Sequence, residues 1–178
     1  MEFITAENYL CFYSLFEMIL RDMGRNKWSQ YSLANIFGVV LPNGEKIPNV
    51  DNVIYDDNEA MCGAHIDCNM INDFFKKESI ALQINYVKAN PYGVYNIDNE
   101  IMKDKYCIYA YSYGALYDEV LNINVGHTSL FLRDVNQEEI EIFDPGPRNA
   151  GRKVVKKYKM YDAMYDSKGG IYFFEKCR

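Results

Sequence analysis

The order of the predicted elements indicates an α+β fold, with N-terminal helices packed on a C-terminal antiparallel β-sheet. Three observations predict this class. Apolar residues recur at helical spacing in the first part of the chain, alternating aromatic and β-branched runs fill the second part, and only one short helical pattern lies among the strands. We expect one domain over residues 1–178, with a helical part at about 1–80 and a sheet part at about 81–178.

The strongest helical pattern runs from Asn8 to Met23 and stops at Gly24. Its apolar residues lie three or four positions apart, as on one face of a helix. Asn8 has a side chain that suits an N-cap, and this would place Cys11 near the positive end of the helix dipole. The residues that form the stripe are Leu10, Cys11, Leu15, Met18, Ile19 and Leu20.

Two further helices and a long loop complete the first part of the chain. A short helix is predicted from Ser29 or Ser32, either of which can cap it, to Gly38, and a third over residues 70–77. Residues 41–63 are rich in Pro, Asn, Asp and Gly. We therefore expect a loop or lid there rather than core.

The second part of the chain contains the strand patterns. The predicted strands cover residues 81–87, 106–114, 127–133, 138–143 and 169–176. Residues 134–137 form the predicted hairpin turn, and a short helix is expected near 158–165. The basic run at 148–159 is interpreted as a solvated strand or helix face.

Composition excludes several classes of function. The formal charge of −6 argues against a nucleic-acid partner, because binding to phosphates needs a positive surface. No stretch approaches the roughly 18 apolar residues of a membrane span, and no basic region precedes an apolar stretch at the N-terminus. Five cysteines without framework spacing suggest reduced thiols. We expect a cytoplasmic protein, although a signal-less secretion route would fit the same sequence.

His127 is one of only two histidines in the chain, and it opens a predicted strand. Asp144 closes the next strand, so the two side chains should be neighbours across the hairpin. A carboxylate beside an imidazole fixes its tautomer and orientation, as a nucleophile–base pair requires. The alternative is a structural histidine satisfied by an aspartate, with the sequence FDPG serving only as a turn.

Cys11 is the candidate nucleophile. A thiol near a helix N-terminus has a lowered pKa, and a thiolate beside an imidazolium is the reactive form of cysteine. The alternative is a small apolar residue on a core-facing stripe. The order of cysteine on an early helix, histidine at one strand start and aspartate at the next strand end favours the catalytic interpretation.

Three segments resemble the papain-like cysteine peptidase superfamily, and within it the bacteriocin-leader (double-glycine) peptidase branch. They are NYLCFYSLFEMILRDMG, GHTSLFL and EIFDPG. The resemblance implies Cys11 as nucleophile, His127 as general base and then acid, and Asp144 as the orienting residue. It also implies a papain-like fold for the single domain, a peptide or acyl-carrying substrate and an acyl-enzyme intermediate. We expect no cofactor.

Two positions depart from that pattern. The leader peptidases place an oxyanion-stabilising glutamine six residues before the cysteine, where this chain has Thr5. Thr5 and Asn8 are therefore the oxyanion candidates. Phe12 follows the cysteine, and a bulky residue at this position resembles the pattern of the acyl-transfer proteins of the butirosin pathway. The alternatives are an acyltransferase with the same three residues or an inactive papain-fold binding protein.

The remaining motifs predict less. The segment CGAHIDC spaces Cys62, His65 and Cys68 like metal ligands, with Asp67 as a conceivable fourth, but no second Cys/His pair follows. We therefore expect no metal site. The substrate-cleft candidates are Tyr111, Tyr113 and Gly126.

Overall fold

The computed structural model describes residues 1–58, 62–90, 105–120 and 125–177. Five helices and nine strands lie in these parts of the chain. In chain order they are α1 (Cys11–Asp22), α2 (Gln30–Phe37), β1 (Val39–Leu41), β2 (Val53–Tyr55), β3 (Gly63–Ala64), α3 (Cys68–Lys77), β4 (Leu82–Lys88), β5 (Lys105–Ser112), α4 (Tyr113–Tyr117), β6 (Gly126–Asp134), β7 (Glu139–Asp144), β8 (Gly151–Lys156), α5 (Lys157–Asp166) and β9 (Gly170–Lys176).

The large sheet has six strands in the order β4-β9-β5-β6-β7-β8, and all of its pairs are antiparallel. Strand β5 is central, so both of its faces are buried: Ile108 packs into a core with α1, α2 and α3, whereas Cys107 and Tyr109 pack into a second core with α4 and α5. The predicted α+β class, with helices against an antiparallel sheet, is confirmed.

Helix α1 is buried on all sides from Phe12 to Leu20, including the positions of the polar residues Ser14 and Glu17. Aromatic contacts fix it to its neighbours, since the Phe16 ring lies 5.6 Å from Phe75 of α3 and 5.4 Å from Phe174 of β9. The helix is therefore a rigid support for its first residue, Cys11.

The predicted start of α1 is wrong. The helix begins at Cys11 rather than Asn8, its N-cap residue is Leu10, and no side chain caps it. Tyr9 adopts a left-handed backbone with φ of 67°, which interrupts a helical path before Leu10. Asn8 is therefore exposed in the segment before the helix rather than bound to its first turn.

The expected loop at 41–63 is also partly wrong. A small sheet in the order β2-β1-β3 includes residues from this segment, with β1 parallel to β2 and antiparallel to β3. Strands of two or three residues are too short for an alternating pattern to reveal them. Strand β5 likewise ends earlier than predicted, because the Ser112 side chain accepts a hydrogen bond from Ala115 N and caps α4.

Within the described ranges, no helix is both long enough and apolar enough to cross a membrane.

Candidate active site

Three elements meet at one end of the large sheet and bring together the residues that the sequence singled out. Cys11 is the first residue of α1, His127 lies at the start of β6, and Asp144 ends β7. His127 Nε2 is 2.7 Å from Asp144 Oδ1. The Cys11 side chain lies close enough to His127 to interact with it electrostatically. The predicted contact between His127 and Asp144 across the hairpin is thus present.

Asp144 is fully buried and accepts hydrogen bonds at both carboxylate oxygens. Oδ1 accepts from the His127 ring and from Gly146 N at 2.8 Å, while Oδ2 accepts from Tyr117 Oη at 2.6 Å and from Lys153 Nζ at 3.0 Å. Burial alone would raise the pKa of this carboxyl, but the hydrogen bond and charge of His127 outweigh it and hold the pKa well below its usual range. The carboxylate is therefore ionised.

Cys11 and His127 perturb each other. Burial would raise the pKa of the Cys11 thiol, but the hydrogen bond and charge of His127, with smaller contributions from Thr128, lower it below its ordinary value. Burial would likewise lower the pKa of His127, yet its hydrogen bonds to Asp144 and Cys11 raise it to about 9. Both shifts favour a thiolate–imidazolium pair.

The N-terminus of α1 adds a second source of positive potential. No side chain caps it, and N–H groups in the first turn of a helix have no acceptor within the helix. The Cys11 N–H belongs to this turn, so it can donate to negative charge that develops beside the sulfur.

A cavity of about 340 Å³ opens onto the Cys11 and His127 side chains. Cys11 is partly exposed to it, so the sulfur is not sealed in apolar packing. Around it lie residues from loops, from the first residues of β3 and β6 and from helix α4, among them Tyr9, Cys62, Gly63, Tyr113, Gly126 and Arg148. The space is large enough to receive an extended peptide side chain or a small acyl group.

The cleft predictions met different outcomes. Tyr113 and Gly126 line the cavity as predicted. Tyr111 does not, because it is buried and its hydroxyl is bonded to Ser129 Oγ at 2.7 Å, so that prediction is wrong. Asn8 lines the cavity, whereas Thr5 is exposed elsewhere and offers its carbonyl oxygen to Gln30 Nε2 at 3.2 Å. Thr5 is therefore not an oxyanion donor in this structure.

Gln30 is a residue that sequence reasoning missed. Its side chain holds the segment before Cys11, because Oε1 accepts from Glu7 N at 2.8 Å and Nε2 donates to Thr5 O. Its own N–H donates to the buried Glu17 at 2.6 Å, and Glu17 pairs with Arg21. No local pattern reveals this bracket, since its partners lie 13 to 25 residues from Gln30.

The segment CGAHIDC does not form a set of metal ligands. Asp67 caps α3 through its side chain, and His65 Nδ1 faces Phe37 O at 3.3 Å. Among the residues that the structure describes, no group of three or more His, Cys, Asp or Glu side chains is arranged to hold a metal ion.

Comparison with solved structures finds a protein whose fold covers nearly the whole chain. It is a protein from Bacillus anthracis described as a "putative C39-like peptidase", and it covers 99% of this chain and 96% of its own at 17% sequence identity and a TM-score of 0.60. The two share a fold. This chain therefore has the same α+β fold as that structure. No protein-family description and no curated protein matches the sequence.

Proposed function

We propose that the protein is a cysteine peptidase or amidase that cleaves a peptide or amide bond, with Cys11, His127 and Asp144 as its catalytic residues. The observation that carries this proposal is the position of His127. Its ring is hydrogen-bonded to the buried Asp144 carboxylate, and it shares the cavity with the Cys11 thiol, whose pKa it lowers. This is the arrangement of an orienter, a base and a nucleophile.

The reaction follows from these contacts. The Cys11 thiolate attacks the carbonyl carbon, and the oxygen that becomes negative is stabilised by the Cys11 N–H at the start of α1. Asn8 lines the same cavity and is our candidate for a second donor. The imidazolium of His127 gives its proton to the amine nitrogen as the C–N bond breaks, which leaves a thioester on Cys11. Water, deprotonated by His127, then attacks the thioester, which releases the acid and restores the thiolate–imidazolium pair.

The finer assignments are also proposals. The C39-like structural neighbour supports a peptide substrate, and on the sequence resemblance we propose the bacteriocin-leader branch. Coverage of almost the whole chain by that fold supports one domain. Since the five cysteines of the sequence lack the spacing of a disulfide framework, we also propose the cytoplasm as the compartment.

Phe12 does not support a separate acyl-transfer hypothesis. Its ring is buried in the aromatic core, 5.2 Å from the Tyr172 ring, so its bulk serves packing rather than the cavity. An experiment, and not this residue, therefore has to distinguish hydrolysis from transfer to an acceptor other than water, in the manner of the butirosin-pathway proteins.

The test begins with alkylation by iodoacetamide at pH 7, resolved by peptide mass spectrometry. Cys177 is exposed and serves as an internal reference thiol. We expect Cys11 to react about tenfold faster than Cys177, and His127→Ala to remove the difference. Cys177→Ser is the matched control for the Cys11→Ser variant of the cleavage assay below. Equal rates at both thiols would contradict an activated nucleophile and leave a binding protein.

A second stage identifies the product. The wild-type protein is incubated with a peptide library, with and without added glycine amide, and the masses of the products are measured. Free acids that disappear in Cys11→Ser support hydrolysis, whereas mass gains from glycine amide at the new carboxyl end support transfer. Cleavage that persists in Cys11→Ser would refute the assigned nucleophile.

A further inference from the structure

Asp144 is held by more groups than the orientation of a histidine requires. Beyond His127 and Gly146, its second oxygen is bound by the Tyr117 hydroxyl and by the ammonium of Lys153. A buried carboxylate with two cationic neighbours divides its charge between them. Lys153 is therefore positioned to influence how tightly Asp144 holds the proton on His127.

The placement of Lys153 is unlike that of the other basic residues near it. In β8, Arg152 pairs with Glu141 and Lys156 pairs with Glu139 at the exposed side of the sheet. Lys153 lies opposite Ile142, and its Nζ is 4.3 Å from the centre of the Tyr117 ring of α4. The expectation of a solvated basic face is thus wrong for this residue.

We propose that Lys153 is a positioning residue that holds Asp144 from the side opposite His127 and limits how strongly the carboxylate retains the imidazolium. The proposal rests on the proposed function, since it concerns the same three residues. Tyr117 assists by donating to the same oxygen and by placing its ring against the ammonium.

Charge counting gives the physical reason. With Lys153, the buried group of thiolate, imidazolium, carboxylate and ammonium is neutral overall. Without it, one negative charge stays uncompensated near the imidazole, and that charge stabilises the protonated ring. An imidazolium held too firmly is a weaker acid towards the leaving amine. Lys153 therefore keeps His127 able to give up its proton.

Other groups around His127 also affect its titration. From α1 it meets Cys11, from β5 and α4 it meets the Tyr111 and Tyr113 rings at 5.7 and 5.2 Å, and Glu7 and Arg148 lie elsewhere along the cavity. The Tyr111 hydroxyl keeps its proton over the range that matters, because burial raises its pKa. Cys11 is the group whose titration must be removed from the measurement.

The experiment therefore uses a Cys11→Ala background and follows His127 directly by NMR. The chain has only two histidines, so the ring signals of His65 and His127 can be told apart with His65→Gln. Lys153→Met is compared with Lys153→Arg, which keeps the charge, and with Lys156→Met, which removes a charge from the same strand.

We expect Lys153→Met to raise the titration midpoint of His127 by about half to one pH unit, with Lys153→Arg and Lys156→Met changing it by less than about 0.3. Equal shifts in Lys153→Met and Lys153→Arg would overturn the proposal, since packing and not charge would then be responsible. An unchanged midpoint in Lys153→Met would overturn it as well. Lys153→Gln is the substitute if the methionine variant does not fold, and the same shift is required of it.

A kinetic readout separates this proposal from the proposed function. In the Cys11-containing protein, Lys153→Met should slow cleavage of an amide substrate more than cleavage of the matching ester, because only the amine leaving group needs a strong acid. If no variant hydrolyses any substrate, the proposed function fails while the NMR midpoints still decide the role of Lys153. If hydrolysis is present and the amide-to-ester ratio is unchanged, the role of Lys153 is refuted alone.

Discussion

Replacement of Gly146 by alanine tests whether the His127–Asp144 contact controls the reactivity of Cys11. Gly146 donates its N–H to Asp144 Oδ1, and its backbone is outside the left-handed region, so alanine meets no dihedral strain. The added methyl would lie 3.0 Å from Asp144 Oδ1, 3.1 Å from His127 Cε1 and 3.4 Å from His127 Nε2. Glycine is needed here for close approach.

The size of the effect follows from these distances. Carbon contacts are most favourable at about 3.5 to 4.0 Å, so the imidazole and carboxylate must move by roughly 0.5 Å. A misplacement of about 1 Å near reacting atoms costs on the order of 100-fold in rate, and half of that displacement suggests a loss of about tenfold. The overpacked site should also lose about 1 to 2 kcal/mol of stability.

The assay is the alkylation rate of Cys11 at pH 7, read by peptide mass spectrometry, together with urea unfolding. Ala150→Gly is the control, because it also changes one methyl group in the same loop, at an exposed residue that does not line the cavity. A Gly146→Ala protein that alkylates at the wild-type rate, while remaining folded, would refute the link between this contact and thiol reactivity.

Three other predictions concern pH, a buried hydroxyl and a close backbone contact. The pKa of His127 is raised to about 9, so its imidazolium persists through neutral pH. The rate of hydrolysis should therefore fall as pH rises through about 9. Initial rates that already fall as pH rises through about 6.5 would contradict this. Thr128 Oγ1 is buried without a well-formed hydrogen bond among the described residues. Thr128→Val should therefore raise the free energy of unfolding, measured in urea, by about 1 kcal/mol. Because the Thr128 hydroxyl, even without ideal geometry, helps to lower the pKa of Cys11, the same change should slow alkylation a few-fold, and an unchanged rate would exclude that role. A Cβ at Gly169 would overlap the carbonyl of Ala110, so Gly169→Ala should cost about 3 kcal/mol or more in the same unfolding assay, and a near-neutral effect would contradict so close an approach of the two backbones.

The candidate site illustrates how far local patterns reach. A histidine that opens one strand and an aspartate that closes the next are adjacent in any antiparallel hairpin, so the pairing of His127 with Asp144 can be predicted. Cys11 is predicted to lie near a helix start, and it does, although the capping residue is wrongly assigned. The helix begins at the cysteine because Tyr9 and Leu10 leave the helical path.

Residues that support the site are not predictable in the same way. Gln30 reaches Glu7 across 23 residues, and Tyr117 reaches Asp144 across 27. Such contacts depend on which elements pack together, and a short stretch of sequence does not show which elements these are. The prediction that Tyr111 lines the cleft is wrong for a related reason. Alternation in a strand predicts which side of the sheet a side chain faces, but not whether helices cover that side.

By itself, the amino-acid sequence determined the α+β class and the longer helices and strands, and it pointed to three residues suited to thiol chemistry, because those depend on periodicity, chain order and residue type. Only the tertiary structure decided that Tyr111 is core, that Thr5 lies away from the cavity and that Lys153 shares the carboxylate of Asp144. The physical reason is that burial and charge compensation are properties of the packed assembly of several elements, whereas a sequence pattern describes each element alone.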